Sequence, residues 1–143
     1  MLIGIPAIIS PSLMKALMEM GHGDEIVLAD GNFPASSCAK RLIQADGHGI
    51  VPLLDAILKF FPLDYAVDYN VALMAVPKGV QEKPAIWDEY SAILQKRSGE
   101  FKGYEYMDRL SFYERSQKAY AIVATSESAR FSNIILKKGI IRI

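Results

Sequence analysis

Short apolar runs of strand length alternate with segments of helical period along this chain, and that alternation constrains the fold more than any other feature. Ser10 is placed to cap a helix opening on Pro11, where a proline loses no hydrogen bond. Leu13, Leu17 and Met20 make its apolar face, and Gly21 is a natural stop. Glu25–Ala29 then reads as a buried strand ending at Asp30 and a turn through Gly31-Asn32. Residues 50–61 carry Leu53, Leu54, Ile57, Leu58 and Phe61 at helical spacing, with Pro62 as terminator. Residues 71–76 read as a strand closed by Pro77 and Gly79. A third helix starts near Pro84 and stops before Gly99, and Tyr104–Met107 reads as a strand. Ser111 and Glu114 have capping-box spacing for a short helix to about Ala119. Residues 120–124 and 134–136 finish as strands, while residues 33–44 read as loop with a strand near 41–43. The pattern predicts an α/β fold, a mostly parallel sheet flanked by helices, in a single domain over residues 1–143.

Composition narrows the function classes. Sixteen basic and sixteen acidic residues are interleaved, leaving no basic stripe to neutralise a row of phosphates, so nucleic acid is not an expected partner. The apolar N-terminus lacks a basic leader and is broken by Pro6 and Pro11. No run reaches the ~18 uninterrupted apolar residues of a membrane span, and the longest candidate, residues 50–61, contains Asp55 and Lys59. The single Cys38 forms no internal disulfide, which fits a reducing, cytoplasmic setting.

The segment richest in chemistry is Gly21-His22-Gly23-Asp24-Glu25. An imidazole between two glycines stands on backbone able to take unusual dihedral angles, and histidine is the side chain suited to proton transfer near neutral pH. The plainer alternative is a glycine-rich helix stop with an exposed histidine. Asp30 stands at the carboxyl end of a predicted strand, the edge where α/β sheets bind ligands, and can accept hydrogen bonds from hydroxyl groups there; it can equally make a turn with Gly31-Asn32. Arg109 follows another predicted strand, and its fork of donors suits vicinal hydroxyls, although an ion pair with Asp108 or Glu105 is simpler. Tyr113, Tyr120 and Phe131 can stack on a ligand or fill core. Asn133, before the last strand, offers both a donor and an acceptor. Other chemistries find no support: His22 and His48 show no metal-ligand spacing, and there is no Gly-x-Ser-x-Gly elbow. The paired glycines at 21/23 and 47/49 complete neither a dinucleotide fingerprint nor a phosphate loop.

Several stretches together resemble the fucose mutarotase and ribose pyranase family. They include Ile9-Ser10-Pro11-Ser12-Leu13, Met20-Gly21-His22-Gly23-Asp24-Glu25-Ile26, Asn32-Phe33-Pro34-Ala35, Ala45-Asp46-Gly47, Phe112-Tyr113-Glu114-Arg115, Gln117-Lys118-Ala119 and Leu136-Lys137-Lys138-Gly139. They lie in the family's order over nearly the whole chain. Arg109 with Phe112-Tyr113-Glu114-Arg115 is similar to the fucose branch, whereas the ribose branch has a histidine near Arg109. The resemblance implies an isomerase that interconverts the α and β anomers of a monosaccharide, L-fucose first, without cofactor or metal. It implies a ring-shaped homo-oligomer, often a decamer. His22 takes the position of the proton donor, and Asp30 and Arg109 those of substrate-binding residues. Phe131-Ser132-Asn133 align with a substrate-contacting Tyr-Gly-Asn segment; Phe131 lacks the usual hydroxyl, for which Tyr113 is the candidate substitute.

One geometric expectation follows. His22 precedes the strand that Asp30 ends, and eight extended residues span up to ~26 Å, too far for one monosaccharide to bridge. Either residues 22–24 fold back, or His22 and Asp30 of different subunits meet; the second is expected. The competing functions are a non-catalytic monosaccharide-binding protein and a ribose pyranase, the latter disfavoured by Arg109.

Overall fold

Ser10 opens the first helix in the expected way: its hydroxyl accepts a hydrogen bond from Leu13 N–H at 3.1 Å, and Pro11 follows at the start of α1 (Pro11–Glu19). The helix ends one residue earlier than Gly21 suggests, because Met20 is already extended and buries its side chain. The computed structural model describes residues 1–143, which continue as β1 (Glu25–Ala29), α2 (Ala35–Cys38), β2 (Leu42–Ala45), α3 (Ile50–Leu58) and β3 (Val71–Met74). After them come α4 (Ile86–Arg97), β4 (Tyr104–Met107), α5 (Arg109–Lys118), β5 (Ala121–Thr125) and β6 (Ile134–Lys137).

The six strands form one sheet in the order β2-β5-β1-β6-β3-β4. All are parallel except β6, which inserts antiparallel between β1 and β3, pairing Leu28 with Ile134 and Leu73 with Ile134. The four inner strands, β5, β1, β6 and β3, are buried on both faces, so they read as continuous apolar runs rather than alternating ones. Ile26, Leu28, Leu73, Val123 and Ile134 point to a larger core under α1, α3 and α4. Val27, Ala29, Ala72, Ile122 and Ile135 point to a smaller one under α2 and α5, filled by Phe33 and Phe112. Each fully buried Leu or Ile of α3 contributes roughly 1.5–3 kcal/mol, and Leu53, Leu54 and Ile57 are all in that class.

Two local readings are corrected. The segment at residues 33–44 contains the short helix α2, whose single buried residue, Ala35, leaves no apolar period to read. The last helix is capped by Asp108, not by Ser111: the Asp108 carboxylate accepts Ser111 N–H at 2.8 Å, so Arg109 is the first residue of α5 rather than a loop residue before it. Arg115 clamps this helix to the sheet, reaching Glu25 at 3.0 Å and Glu105 at 2.8 Å. Those two carboxylates hold the guanidinium above its usual range, Glu25 contributing most.

Beyond β6 the chain passes directly over the segment that follows α3. Leu63 bridges Lys138, and a Cβ on Gly139 would stand 2.6 Å from the Leu63 carbonyl oxygen and 2.8 Å from the Asp64 Cα. These are backbone atoms and cannot swing away. Gly139→Ala is therefore expected to destabilise the fold by about 1–3 kcal/mol, read as a lower urea midpoint at unchanged slope. A midpoint equal to that of the native chain would show that the segment yields.

Candidate active site

The carboxyl ends of β1, β2, β3, β4 and β5 lie along one edge of the sheet, and β6 starts there because it runs the other way. That edge collects Asp30, Arg109 and the residues before β6. Asp30 makes an Asx turn, its Oδ1 accepting Asn32 N–H at 2.9 Å. Its own N–H donates to Asn133 Oδ1 at 2.7 Å. The Asn133 acceptor is thus engaged within the chain, and its amide nitrogen faces the Asp30 carboxylate. Burial raises the Asp30 carboxyl above its ordinary value, opposed by hydrogen bonds from Asn32, Phe33, Ser132 and Asn133.

Ser132 is fully buried. Its hydroxyl donates to the Ala129 carbonyl at 2.7 Å and lies 3.5 Å from Asp30 Oδ2, so the side chain braces the loop behind Asp30 instead of facing outward. Phe131 is the only non-glycine residue at positive φ, 56°, a conformation that costs an aromatic residue about 1–2 kcal/mol. Two side chains of α4 that the sequence does not mark as site residues hold it there. Trp87 Nε1–H donates to the Phe131 carbonyl at 2.7 Å, and the Tyr90 hydroxyl donates to the Ser132 carbonyl at 2.6 Å. Burial pushes the Tyr90 hydroxyl far above its usual range, so it remains a donor. The only signal for either in the sequence is an aromatic on the apolar face of α4, indistinguishable from ordinary core.

Arg109 is exposed and pairs with neither Asp108 nor Glu105: Asp108 caps α5, and Glu105 belongs to Arg115. Its donors are free. Tyr113 packs its ring edge-on against Phe33 at 5.3 Å, half-buried beneath the same edge. Tyr120 lies elsewhere, under the Arg41 guanidinium at 3.9 Å and bonded to Glu19.

His22 stands at the opposite end of the sheet, before β1 begins. Residues 22–24 do not fold back toward Asp30. Gly23 N–H donates to the Lys138 carbonyl and Lys138 N–H to the Asp24 carbonyl, both at 2.8 Å, which anchors the turn beside the end of β6. Six extended steps from Asp24 to Asp30 put the two side chains roughly 20 Å apart. The imidazole is half exposed, and its Nε2 lies 3.1 Å from Oδ1 of Asp64, whose side chain is 4 % exposed. His48 closes the Gly47–Gly49 turn at the carboxyl edge, its side chain in solvent. No three His, Cys, Asp or Glu side chains come together in a way that could hold a metal ion. The largest groove, about 710 Å³, lies away from Asp30, between the N-terminal segment and α1, lined by Met1, Leu2, Ile5, Ile9, Met14 and Met18. No helix is long and apolar enough to cross a membrane.

A sheet covered by helices on both faces, with an acid, an amide and a free guanidinium along its carboxyl edge, defines an α/β protein with polar groups on the edge where such folds bind ligands. The model of the RbsD / FucU transport protein family matches residues 3–141, and the chain belongs to that family. It is 48 % identical over 144 residues to the fucose mutarotase of Homo sapiens, spanning 96 % of this chain and 93 % of that one. It is 44 % identical over 140 residues to an L-fucose mutarotase of Actinobacillus pleuropneumoniae, spanning 98 % and 97 %. The crystal structure of the fucose mutarotase from Streptococcus pneumoniae in complex with L-fucose superposes with a TM-score of 0.94 at 52 % identity, covering 99 % of this chain and all of that one.

Proposed function

We propose that this protein is an L-fucose mutarotase, an isomerase that exchanges the α and β anomers of the free sugar. The observation that carries the reading is likeness over the full chain to a fucose mutarotase that binds L-fucose, at 52 % identity and a TM-score of 0.94. Mutarotation opens the cyclic hemiacetal, turns the exposed aldehyde about its neighbouring bond and closes it on the other face. Opening needs a proton delivered to the ring oxygen and one removed from the anomeric hydroxyl. His22 delivers the first and takes it back on closure. A water at the anomeric oxygen receives the second and passes it to solvent, while the Tyr113 hydroxyl, the candidate substitute for the one Phe131 lacks, hydrogen-bonds that oxygen. Asp30 accepts from sugar hydroxyls, while Arg109 and the Asn133 amide donate to them. Phe131 offers a ring face to the sugar, and Ser132 supports the loop from within.

Since His22 and Asp30 of one chain lie at opposite ends of β1, the working site pairs His22 of one copy with Asp30 of another. Exposed Met1, Leu2, Ile3 and Met18 beside the N-terminal groove supply apolar surface of the kind that subunit contacts cover. The protein acts as a homo-oligomer, a ring of subunits, in the cytoplasm, where its free Cys38 is stable.

The test is polarimetric. Freshly dissolved α-L-fucose relaxes to its equilibrium rotation, and catalytic amounts of protein are expected to shorten that relaxation in proportion to their concentration. An unchanged relaxation with demonstrable sugar binding would leave a binding protein in place of an enzyme.

Asp30 also fixes a pH dependence. As a hydrogen-bond acceptor it serves in its ionised form, and burial lifts its carboxyl above 3.8. The acid form therefore persists to higher pH than for an ordinary aspartate, and L-fucose affinity is expected to weaken on acidification earlier than such a residue would allow. The stability sign is opposite: a raised carboxyl favours the fold at low pH and loses that contribution as pH rises through its own value. A titration of affinity against pH that is flat down to pH ~4 would remove Asp30 from the binding set.

A further inference from the structure

We propose that Trp87 and Tyr90 are positioning residues for sugar binding: from one face of α4 they hold Phe131 in its left-handed conformation, which keeps the loop before β6 in the shape that receives L-fucose. The inference rests on the proposed function, in which Phe131 and Asn133 meet the sugar, and adds to it the pair that preorganises them.

Left to itself, residue 131 would not stand at φ 56°. An aromatic residue populates the left-handed region about 5–30-fold less than the ordinary ones, so something outside the loop must select it. The loop's own anchors do not reach that far. Glu127 ties down its first half, Oε1 accepting Ser128 and Ala129 N–H at 3.0 Å and Oε2 accepting Ile50 N–H at 3.1 Å. Asn133 closes the far end on Asp30 N–H. Between these anchors the carbonyls of Phe131 and Ser132 both turn to α4, where Trp87 Nε1–H and the Tyr90 hydroxyl meet them at 2.7 and 2.6 Å.

The two donors stand three positions apart on one helix face, so they grip two successive peptide units together. Both are fixed in place. Tyr90 is wholly buried, and burial keeps its hydroxyl protonated and a donor. The Trp87 ring packs on Tyr106 with centroids 5.5 Å apart, and its backbone carbonyl accepts from the Ser91 and Tyr104 hydroxyls. A buried tyrosine or tryptophan finds some partner for its polar atom; here both partners lie in the one strained segment of the binding loop. Without the pair, φ at residue 131 returns to negative values, which turns the ring away and shifts Asn133 against Asp30. Sugar affinity then falls with the fraction of chains still in the competent shape, while proton transfer at His22 is untouched.

The test measures kcat and KM for L-fucose anomer exchange, with Kd by calorimetry, in the assembled protein. Tyr90→Phe deletes one hydroxyl and keeps the ring, so KM and Kd are expected to rise about 2–13-fold. Adding Trp87→Phe takes the rise to about 5–30-fold. Throughout, kcat stays within about twofold of native and its pH profile does not move. The decisive comparison repeats Tyr90→Phe on a Phe131→Gly background. Glycine takes either sign of φ about equally, so there the same deletion changes Kd by no more than about twofold. Unchanged KM and Kd in the double variant, a kcat loss at constant KM, or an equal penalty on the glycine background each overturns the proposal. Should Tyr90→Phe not fold, Trp87→Phe takes its place in both backgrounds. A native protein that binds L-fucose without speeding its exchange removes the mutarotase reading alone, and Kd then decides this one; a native protein that does not bind it removes both.

Discussion

Replacing His22 with glutamine lowers the catalysed exchange of L-fucose anomers by about 10²–10⁴-fold, the range that general acid–base catalysis supplies. The fold survives, because the imidazole is half exposed and its only side-chain partner is Asp64. Glutamine retains a donor for that carboxylate, so no buried charge is left unpaired. Sugar affinity is expected to hold, since Asp30, Arg109 and Asn133 lie at the other edge of the sheet and are untouched. The paired control is His48→Gln, in the turn before α3 with its side chain in solvent, which should leave the rate within about twofold of native. Steady-state rates on the two variants, with denaturation midpoints beside them, check this. A rate loss in the His48 variant but not in the His22 variant would transfer the acid to the carboxyl edge and place the whole site within one chain.

Two inactive variants, combined in one assembly, regain activity. His22→Gln disables the proton donor and Asp30→Ala the sugar-binding acceptor, and each is expected to be almost inactive alone. If a site takes His22 from one copy and Asp30 from another, random mixing of equal amounts restores both native residues in about a quarter of sites. Co-expressed and co-purified variants should thus recover roughly a quarter of the native rate per site, a gain of one to several orders of magnitude over either parent. The physical basis is the roughly 20 Å that β1 puts between the two side chains, with the His22 turn anchored on Lys138. A mixture no more active than its parents, with mixed assembly shown by mass, would require both groups to act within one subunit.

Much of this architecture was legible in the sequence because the inner strands are buried on both faces. Ile26-Val27-Leu28-Ala29 and Val71-Ala72-Leu73-Met74 contain no polar residue to blur them, and Ser10-Pro11 and Pro62 mark helix ends by backbone chemistry alone. The failures came where local signals compete. Ser111 and Glu114 have the spacing of a capping box, yet Asp108 occupies the cap, since it offers a stronger acceptor three residues before the same Ser111 N–H. The antiparallel entry of β6 is set by a long-range pairing with β1 and β3 that no period in residues 134–137 encodes. Within the site, Asp30 and Asn133 were recognisable as strand-edge polar groups. Their mutual bond, and the inward turn of Ser132, depend on a loop shaped by Trp87 and Tyr90 from more than 40 residues away. Asp64 carried no signal. In Phe61-Pro62-Leu63-Asp64-Tyr65 it is an ordinary turn aspartate, and only the approach of Lys138-Gly139 brings it beneath His22.

The most direct measurement is magnetisation transfer between the anomeric protons of α- and β-L-fucose at equilibrium, with and without catalytic amounts of the protein. The proposed function predicts transfer between the two pyranose signals that grows with protein concentration and is lost in the His22→Gln variant. Signals that broaden or shift on binding while transfer stays at its uncatalysed rate would contradict it, and leave this fold as a receptor for the sugar.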